Sequence, residues 1–456
     1  MSFLSAIVLA AGKGTRMKSD RPKVLHELAG RPLLYYPIAL ALELSCDPVA
    51  IVLGHRAAEV RAAMEALFPT AGGRLRFPVQ EEQKGTAHAV LAAREALDDF
   101  AGEVLVLYGD VPLLGRPTID RLLAAPAGRI AFLTSRPPDP TGYGRVVREA
   151  DGRVARIVEE RDCGPAERML GEVNAGIYRV PAAFLWDALD RIGSANAQSE
   201  FYLTDLVALA AGQGVTAVAA PFEEVAGVND RADLAVAAAR LRARINHAHQ
   251  LAGVTIAAPE GTFIDAGVRL GRDVTIEPGC VLAGDTIVED GARIRAYSVL
   301  EDARVGPGAI VGPFARLRPG AVLEADVHVG NFVEVKNSRL GRGTKANHLT
   351  YLGDAEIGPG VNVGAGTITC NYDGVNKLKT VIGEGAFIGS DSQLVAPVEV
   401  GARAYVGAGS TVTEDVPADA LALTRAPQQT VEGWAARRRE KQAAAGGKPP
   451  KQRLKR

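Results

Sequence analysis

At 456 residues the chain exceeds one typical domain, so two or three are expected. A net charge of −1 argues against a nucleic-acid protein as a whole. Four widely separated cysteines (Cys46, Cys163, Cys280, Cys370) with no CxxC pair read as reduced thiols in a cytoplasmic protein, not as a disulfide frame or zinc site.

The chain passes from Met1 into Ala6-Ile7-Val8-Leu9-Ala10-Ala11 without a basic leader, and this apolar run is too short to span a bilayer. It reads as a buried strand, and no other stretch is long and apolar enough to insert in a membrane. Residues 1–229 alternate apolar strands (Ala6–Ala10, Val49–Leu53, Val104–Tyr108, Ile130–Thr134) with helical stretches, the pattern of an α/β domain with a largely parallel sheet. Ligands in such sheets bind beyond the carboxyl ends of the strands.

Two motifs lie at those ends, and a third lies between them in the chain. Leu9-Ala10-Ala11-Gly12-Lys13-Gly14-Thr15-Arg16 follows the first strand, with Lys23 close behind. Its glycines let backbone N–H groups approach a phosphate, and Lys13, Arg16 and Lys23 add positive charge. It is neither a Walker A loop nor GxGxxG, and a purely structural turn is the alternative. Tyr108-Gly109-Asp110 ends another strand; its carboxylate can hold Mg2+ against phosphates or cap the following turn. Between them, in Gln80-Glu81-Glu82-Gln83-Lys84-Gly85-Thr86-Ala87-His88, the amides can read a base edge, Gly85 allows close backbone approach, and His88 reads as a packed or surface histidine.

Residues 230–251, rich in Ala and Arg with Leu234, Leu241 and Ile245 at helical spacing, read as a helical linker. From 252 to 456 the pattern changes. A branched aliphatic returns every sixth residue: Leu270, Ile276, Leu282, Val288, Ile294, Leu300; then Val305 to Val335; then Ile382 to Val412. A period of six fits neither helix nor alternating strand. It marks a hexapeptide β-helix whose three faces close a coil in about eighteen residues. The rhythm breaks at Lys336–Leu352 and at Thr367–Lys377, and insertions in a solenoid leave as loops that gather on a binding face. His348, amid Lys336, Tyr351, Asn371 and Tyr372, is a candidate general base there. A helix is expected over 432–445. The basic end from about 437 reads as a solvated, disordered tail, with a nucleic-acid or membrane role as the alternative.

Together these motifs resemble the nucleotidyltransferases that join a sugar 1-phosphate to a nucleoside triphosphate. The closer resemblance, over Ile7 to about Trp434, is to the bifunctional uridyltransferase/acetyltransferase family that makes UDP-N-acetylglucosamine in bacteria. The resemblance implies a Rossmann-like N-terminal domain, a C-terminal left-handed parallel β-helix, and a homotrimer. It implies acetyl transfer from acetyl-CoA to glucosamine 1-phosphate, then uridylyl transfer from UTP to N-acetylglucosamine 1-phosphate. By position, Leu9, Ala10, Ala11, Gly12, Lys23, Gln80, Gly85 and Thr86 correspond to uridine and phosphate contacts, and Tyr108 and Gly109 to further substrate contacts of the same site. Gly144, Glu159 and Asn174 correspond to sugar contacts, Asp110 and Asn229 to Mg2+ ligands, and Arg16 and Lys23 to the cations that steady the triphosphate. Without the resemblance, Glu159 reads as a solvated acidic edge and Arg318 as an outward rung position. In the second half it implies His348 as base, Arg318, Lys336, Tyr351 and Asn362 around the sugar phosphate, and Ala365, Asn371, Tyr372, Ser390, Ala408 and Arg425 near acetyl-CoA. The rival readings are a single-activity pyrophosphorylase with a scaffolding β-helix, and a non-enzymatic sugar-nucleotide sensor.

Overall fold

The computed structural model describes residues 4–445, and the chain divides into two compact units, Met1–Asp302 and Ala303–Arg456. In the first unit the strands are β1 (Leu4–Leu9), β2 (Val49–Val52), β3 (Leu75–Arg76), β4 (Glu103–Tyr108), β5 (Ala131–Ser135), β6 (Arg145–Arg148), β7 (Val154–Val158), β8 (Val173–Pro181) and β9 (Thr216–Ala219). They form one sheet in the order β9-β5-β8-β4-β1-β2-β3, with β6 and β7 as a side ribbon on β8. β1 pairs in parallel with β2 and β4, and β5 with β9, as the apolar runs lead one to expect. The nine-residue β8, which no sequence pattern marked, runs antiparallel between β4 and β5.

Side chains of these strands alternate between two buried clusters, as the period of two requires. Ile7, Val104 and Val106 face one side with Phe132 and Leu185; Ala6, Val8, Leu105 and Leu107 face the other with Ile38 and Ile119. Burial on both faces explains why the strands read as continuous apolar runs.

A helix spans Arg231–Leu251, capped by the Asp230 carboxylate, which accepts from the backbone of Ala232 (2.8 Å) and Asp233 (3.0 Å). Its buried Leu241, flanked by Leu234 and Ile245, packs against Leu28, Leu33 and Leu113. The buried Asn246 amide donates to the carbonyls of Pro259 (2.7 Å) and Thr262 (3.0 Å), seating the helix on the first β-helical coil. Stacked parallel rungs then run from Thr255–Ile256 to Val299–Glu301, with Ile276 opposite Ile294 eighteen residues on. Ile276, Leu282, Val288, Ile294 and Leu300 are buried. Leu270 is only partly covered.

The second unit repeats this architecture. One face stacks His328–Asn331, Lys345–His348, Asn362–Val363, Phe387–Ile388 and Tyr405–Val406; the next stacks Glu334–Lys336, Tyr351–Gly353, Ile368–Cys370 and Gln393–Val395; the third stacks Arg339–Leu340, Ala355–Ile357, Thr380–Ile382 and Val398–Val400. Every expected aliphatic from Val305 to Val335 and from Ile382 to Val412 is buried. Truncating one such Leu or Ile to Ala costs about 2–5 kcal/mol, because stacked rungs collapse poorly onto a void.

The two expected breaks differ in kind. Between Val329 and Val363 no loop leaves the helix: the buried Ala346 takes the inward position and each of the two coils is one residue short, which hid the beat. The second break is a true insertion. Phe387 pairs with Asn362, twenty-five residues apart, and the excess leaves as a loop after Cys370, closed by a bridge between Tyr372 and Lys377. A final helix, Trp434–Ala444, includes the start of the stretch expected as a disordered tail; residues 446–456 lie outside the described residues. All four cysteines are free, and no described helix is long and apolar enough to cross a membrane.

Candidate active sites

In the first unit a cavity of about 310 Å³ opens at the carboxyl ends of β1 and β4. Leu9, Ala10, Ala11, Gly12, Lys23, Gln80, Gly85, Thr86, Tyr108 and Asp110 line it, so these candidates, scattered over about a hundred residues of sequence, share one space. Gly14 at φ +63° lets Lys23 close over the loop, since a Cβ there would sit 2.4 Å from the Lys23 Cβ. Lys23 Nζ lies 2.6 Å from Asp110 Oδ2 and 3.4 Å from Asn229 Oδ1, and Arg16 Nη2 donates to the same Asn229 oxygen at 2.9 Å. Two oxygens and two cations thus converge beside the cavity. The Val228 N–H donates to the Asp110 carbonyl at 2.8 Å, and the Asn229 N–H to Asp233, which hold the second oxygen in place.

The stretch 80–88 is held by bonds within itself and to the first loop. Gln80 Nε2 reaches the Gly85 carbonyl (3.3 Å) and His88 Nδ1 (3.0 Å), so His88 packs as an orienting group. Gln83 donates to the Ala11 carbonyl.

Beside the cavity-forming strands, β8 shifts register between Asn174 and Tyr178, a bulge that re-aims Asn174. Asn174 donates to the Tyr178 hydroxyl (2.7 Å) and accepts from the Gly176 N–H (3.0 Å). Burial pushes the Glu159 carboxyl above its usual range, an effect partly offset by the Thr204 hydroxyl donating to it at 3.0 Å. Burial likewise pushes the Tyr108 hydroxyl up, with the Glu159 and Asp110 charges adding, so it remains a donor. Glu200, which lines the cavity, escaped the sequence reading. Its segment arrives through Phe201 N–H donating to the Lys84 carbonyl, a tertiary contact with no local signature.

In the second unit His348 ends its strand in register with Asn331 one coil earlier. Its Nδ1 lies 2.9 Å from Asn331 Oδ1; an amide oxygen only accepts, so Nδ1 carries the proton and Nε2 is the basic atom. On the adjoining face Lys336 Nζ stands 3.6 Å from Asp354, which also accepts from Asn337 (2.6 Å) and from Asn371. Burial alone would raise the Asp354 carboxyl, but those amides and the Lys336 charge hold it below the usual carboxylate range. Arg318 pairs with Glu334 at 2.9 Å, and Glu334 is in register with Tyr351. Asn362 follows Lys345 on the His348 face. Ala365, Ser390 and Ala408 follow strands of that same face, tied by backbone bonds from Asp391 to Ala365 and Gly409 to Ser390; Arg425 donates to the Ala408 carbonyl at 2.7 Å. Tyr372 projects on the inserted loop with the Lys377 ammonium 4.3 Å from its ring centre. The supporting residues Asn331, Glu334 and Asp354 were not singled out from sequence. The first two lie one coil before His348 and Tyr351, so the coil length itself is the signal that finds them.

Residues 6–173 match the MobA-like NTP transferase domain, and residues 267–302 and 379–414 match the bacterial transferase hexapeptide (six repeats). The chain is 57% identical to the bifunctional protein GlmU of Anaeromyxobacter sp. (strain Fw109-5), over 96% of this chain and 93% of that one. It is 50% identical to the protein of that name from Trichlorobacter lovleyi and 47% identical to that from Geobacter sulfurreducens, in each case over 96% of this chain and 100% of the relative. With an NTP-transferase sheet, a hexapeptide β-helix, a cluster of candidate residues in each unit and relatives alike along almost their whole length, the chain belongs to the family of bifunctional GlmU proteins.

Proposed function

We propose that the two clusters carry consecutive steps of UDP-N-acetylglucosamine synthesis. The β-helix acetylates glucosamine 1-phosphate from acetyl-CoA, and the α/β cavity joins the product to UTP with release of pyrophosphate. The observation that carries this reading is the presence of two independent chemistries in one chain. One is an oxygen pair gathered round a cation (Asp110 and Asn229 at Lys23); the other is a histidine with its basic nitrogen defined (His348).

The α/β oxygens fit Mg2+, because both donors are hard and both reach the position now taken by one ammonium group. Asp110 and Asn229 would hold the ion, which when bound offsets the repulsion between triphosphate and sugar phosphate. Lys23 and Arg16 add to that screening. Leu9 to Gly12, Gln80, Gly85, Thr86, Tyr108 and Gly109 hold uridine and phosphates, while Gly144, Glu159 and Asn174 orient the sugar. A sugar-phosphate oxygen then bonds the α-phosphorus as pyrophosphate departs. No general base is required, since the attacking phosphate is already ionised, so alignment is the main contribution.

In the β-helix His348 Nε2 takes a proton from the sugar amine as the nitrogen attacks the thioester carbon. The C–S bond breaks, and that proton passes to the departing thiolate, so the coenzyme leaves as thiol. Arg318 and Lys336 hold the sugar phosphate with Tyr351 and Asn362. Asn371, Tyr372, Ala365, Ser390, Ala408 and Arg425 hold acetyl-CoA. In this reading residues 1–229 carry uridylyl transfer, 230–251 link the domains, and 252–456 carry acetyl transfer. The protein works as a cytoplasmic homotrimer joined through the β-helix. An exposed apolar stripe of Phe332 and Leu349, with Phe314 stacked on Phe332 at 5.5 Å, supports self-association.

A paired assay of the protein and its His348→Ala variant tests the reading. One arm follows thiol from glucosamine 1-phosphate and acetyl-CoA; the other follows pyrophosphate from N-acetylglucosamine 1-phosphate, UTP and Mg2+. Loss of thiol release alone in the variant supports two separate sites. Pyrophosphate without thiol from the unmutated protein would reduce the β-helix to a scaffold.

A further inference from the structure

Arg145 is 2% exposed, a burial that charged side chains reach only when paired. It opens β6, and its backbone is in register with Val158 at the end of β7 and with Val173 at the start of β8. The residues that follow those two partners are Glu159 and Asn174, and the residue before Arg145 is Gly144. All three proposed sugar contacts therefore adjoin the one three-strand junction at which Arg145 sits.

The side chain ties that junction to the loop in front of it. Arg145 Nη2 lies 2.8 Å from Glu160 Oε2, and Nη1 donates to the Tyr143 carbonyl. The same Glu160 oxygen accepts from the Gly142 N–H at 3.3 Å, where φ is +87°. Glu160 thus pulls the turn Pro140–Gly144 onto the end of β7, while the Gly144 carbonyl accepts from the Asn174 N–H at 2.8 Å. A Cβ on Gly144 would meet Ile157 at 2.9 Å and lie 3.5 Å from Glu159 Oε2, so the turn rides directly over that carboxylate.

We propose that the Arg145–Glu160 pair is a positioning device for the sugar phosphate in the uridylyl step, holding Gly144, Glu159 and Asn174 in mutual register without touching substrate. This rests on the uridylyl-transfer reading given above. The planar guanidinium serves Glu160 and the Tyr143 carbonyl at once, a fork that a lysine ammonium on a flexible stem does not reproduce.

The test uses full-length Glu160→Gln and Arg145→Lys. Pyrophosphate release is measured with sugar phosphate varied at saturating UTP and then the reverse, thiol release serves as internal reference, and thermal midpoints are recorded. In both variants KM for N-acetylglucosamine 1-phosphate rises about tenfold, the loss of about 1.4 kcal/mol of sugar binding. KM for UTP and the thiol rate stay as in the parent. A sugar KM unchanged in both variants overturns the inference. So does an equal rise in both KM values, or a lowered midpoint with unaltered kinetics of the folded enzyme, each of which marks a merely structural pair. If the unmutated protein releases no pyrophosphate from these substrates, the uridylyl reading and this inference fall together.

Discussion

Gly85→Ala probes the cavity wall where backbone geometry leaves least room. Gly85 sits at φ +108° and ψ 177°, a region essentially reserved for glycine, where another residue costs about 1–3 kcal/mol. An added Cβ would lie 2.5 Å from the Phe201 carbonyl oxygen and 2.8 Å from its nitrogen, both backbone atoms that cannot swing aside. Those atoms already bond to Ala87 N (2.9 Å) and to the Lys84 carbonyl (2.8 Å), so relief must separate the segment carrying Glu200 and Phe201 from the Gln80–Thr86 wall. Overpacking of this kind costs about a further 1–3 kcal/mol. The variant should lose about 2–6 kcal/mol of first-unit stability, read as the shift in urea midpoint times the slope. A displacement near 1 Å in a site that works by alignment costs about a hundredfold in rate, so kcat/KM for UTP should fall to that extent while thiol release is untouched. A variant with parental midpoint and parental UTP kinetics would refute the argument, because neither the clash nor the backbone strain would then exist.

Asn331→Leu removes the acceptor that keeps the proton on His348 Nδ1. Thiol release should fall about tenfold to a hundredfold with pyrophosphate release unchanged, and equal thiol rates in the two proteins would show that the tautomer is set elsewhere. The Asp354 carboxyl is held below its usual range, so its contribution to stability is present above about pH 3.8 and is lost as pH falls through its lower folded value. Urea midpoints of the protein and of Asp354→Asn should therefore converge on acidification below pH 3.8 and stay apart above it; a constant gap down to pH 2.5 would contradict the assignment.

Much of this was legible from sequence, because the signals were local. Two periodicities, continuous apolar runs followed by glycine-rich turns and a strict beat of six, are direct consequences of strand and coil geometry, and they located β1, β2, β4, β5 and the buried rungs to within a residue or two. The candidates at strand ends followed because chains of this type leave their ligands there. Other features had no local trace. β8 and its bulge at Asn174 arise from pairing with β4 and β5, which are separated from it in sequence. The two short coils that meet at Ala346 are visible only once their neighbours fix the register. Asn331, Asp354 and Glu160 acquired roles through side chains that meet across a coil or a ribbon. The sequence by itself determined the fold class and which residues could carry the chemistry. Tertiary structure alone decided which acceptor faces His348 Nδ1, which oxygens share the Lys23 ammonium, and which carboxylate pairs with the buried Arg145, because such choices depend on distances between segments that no local period encodes.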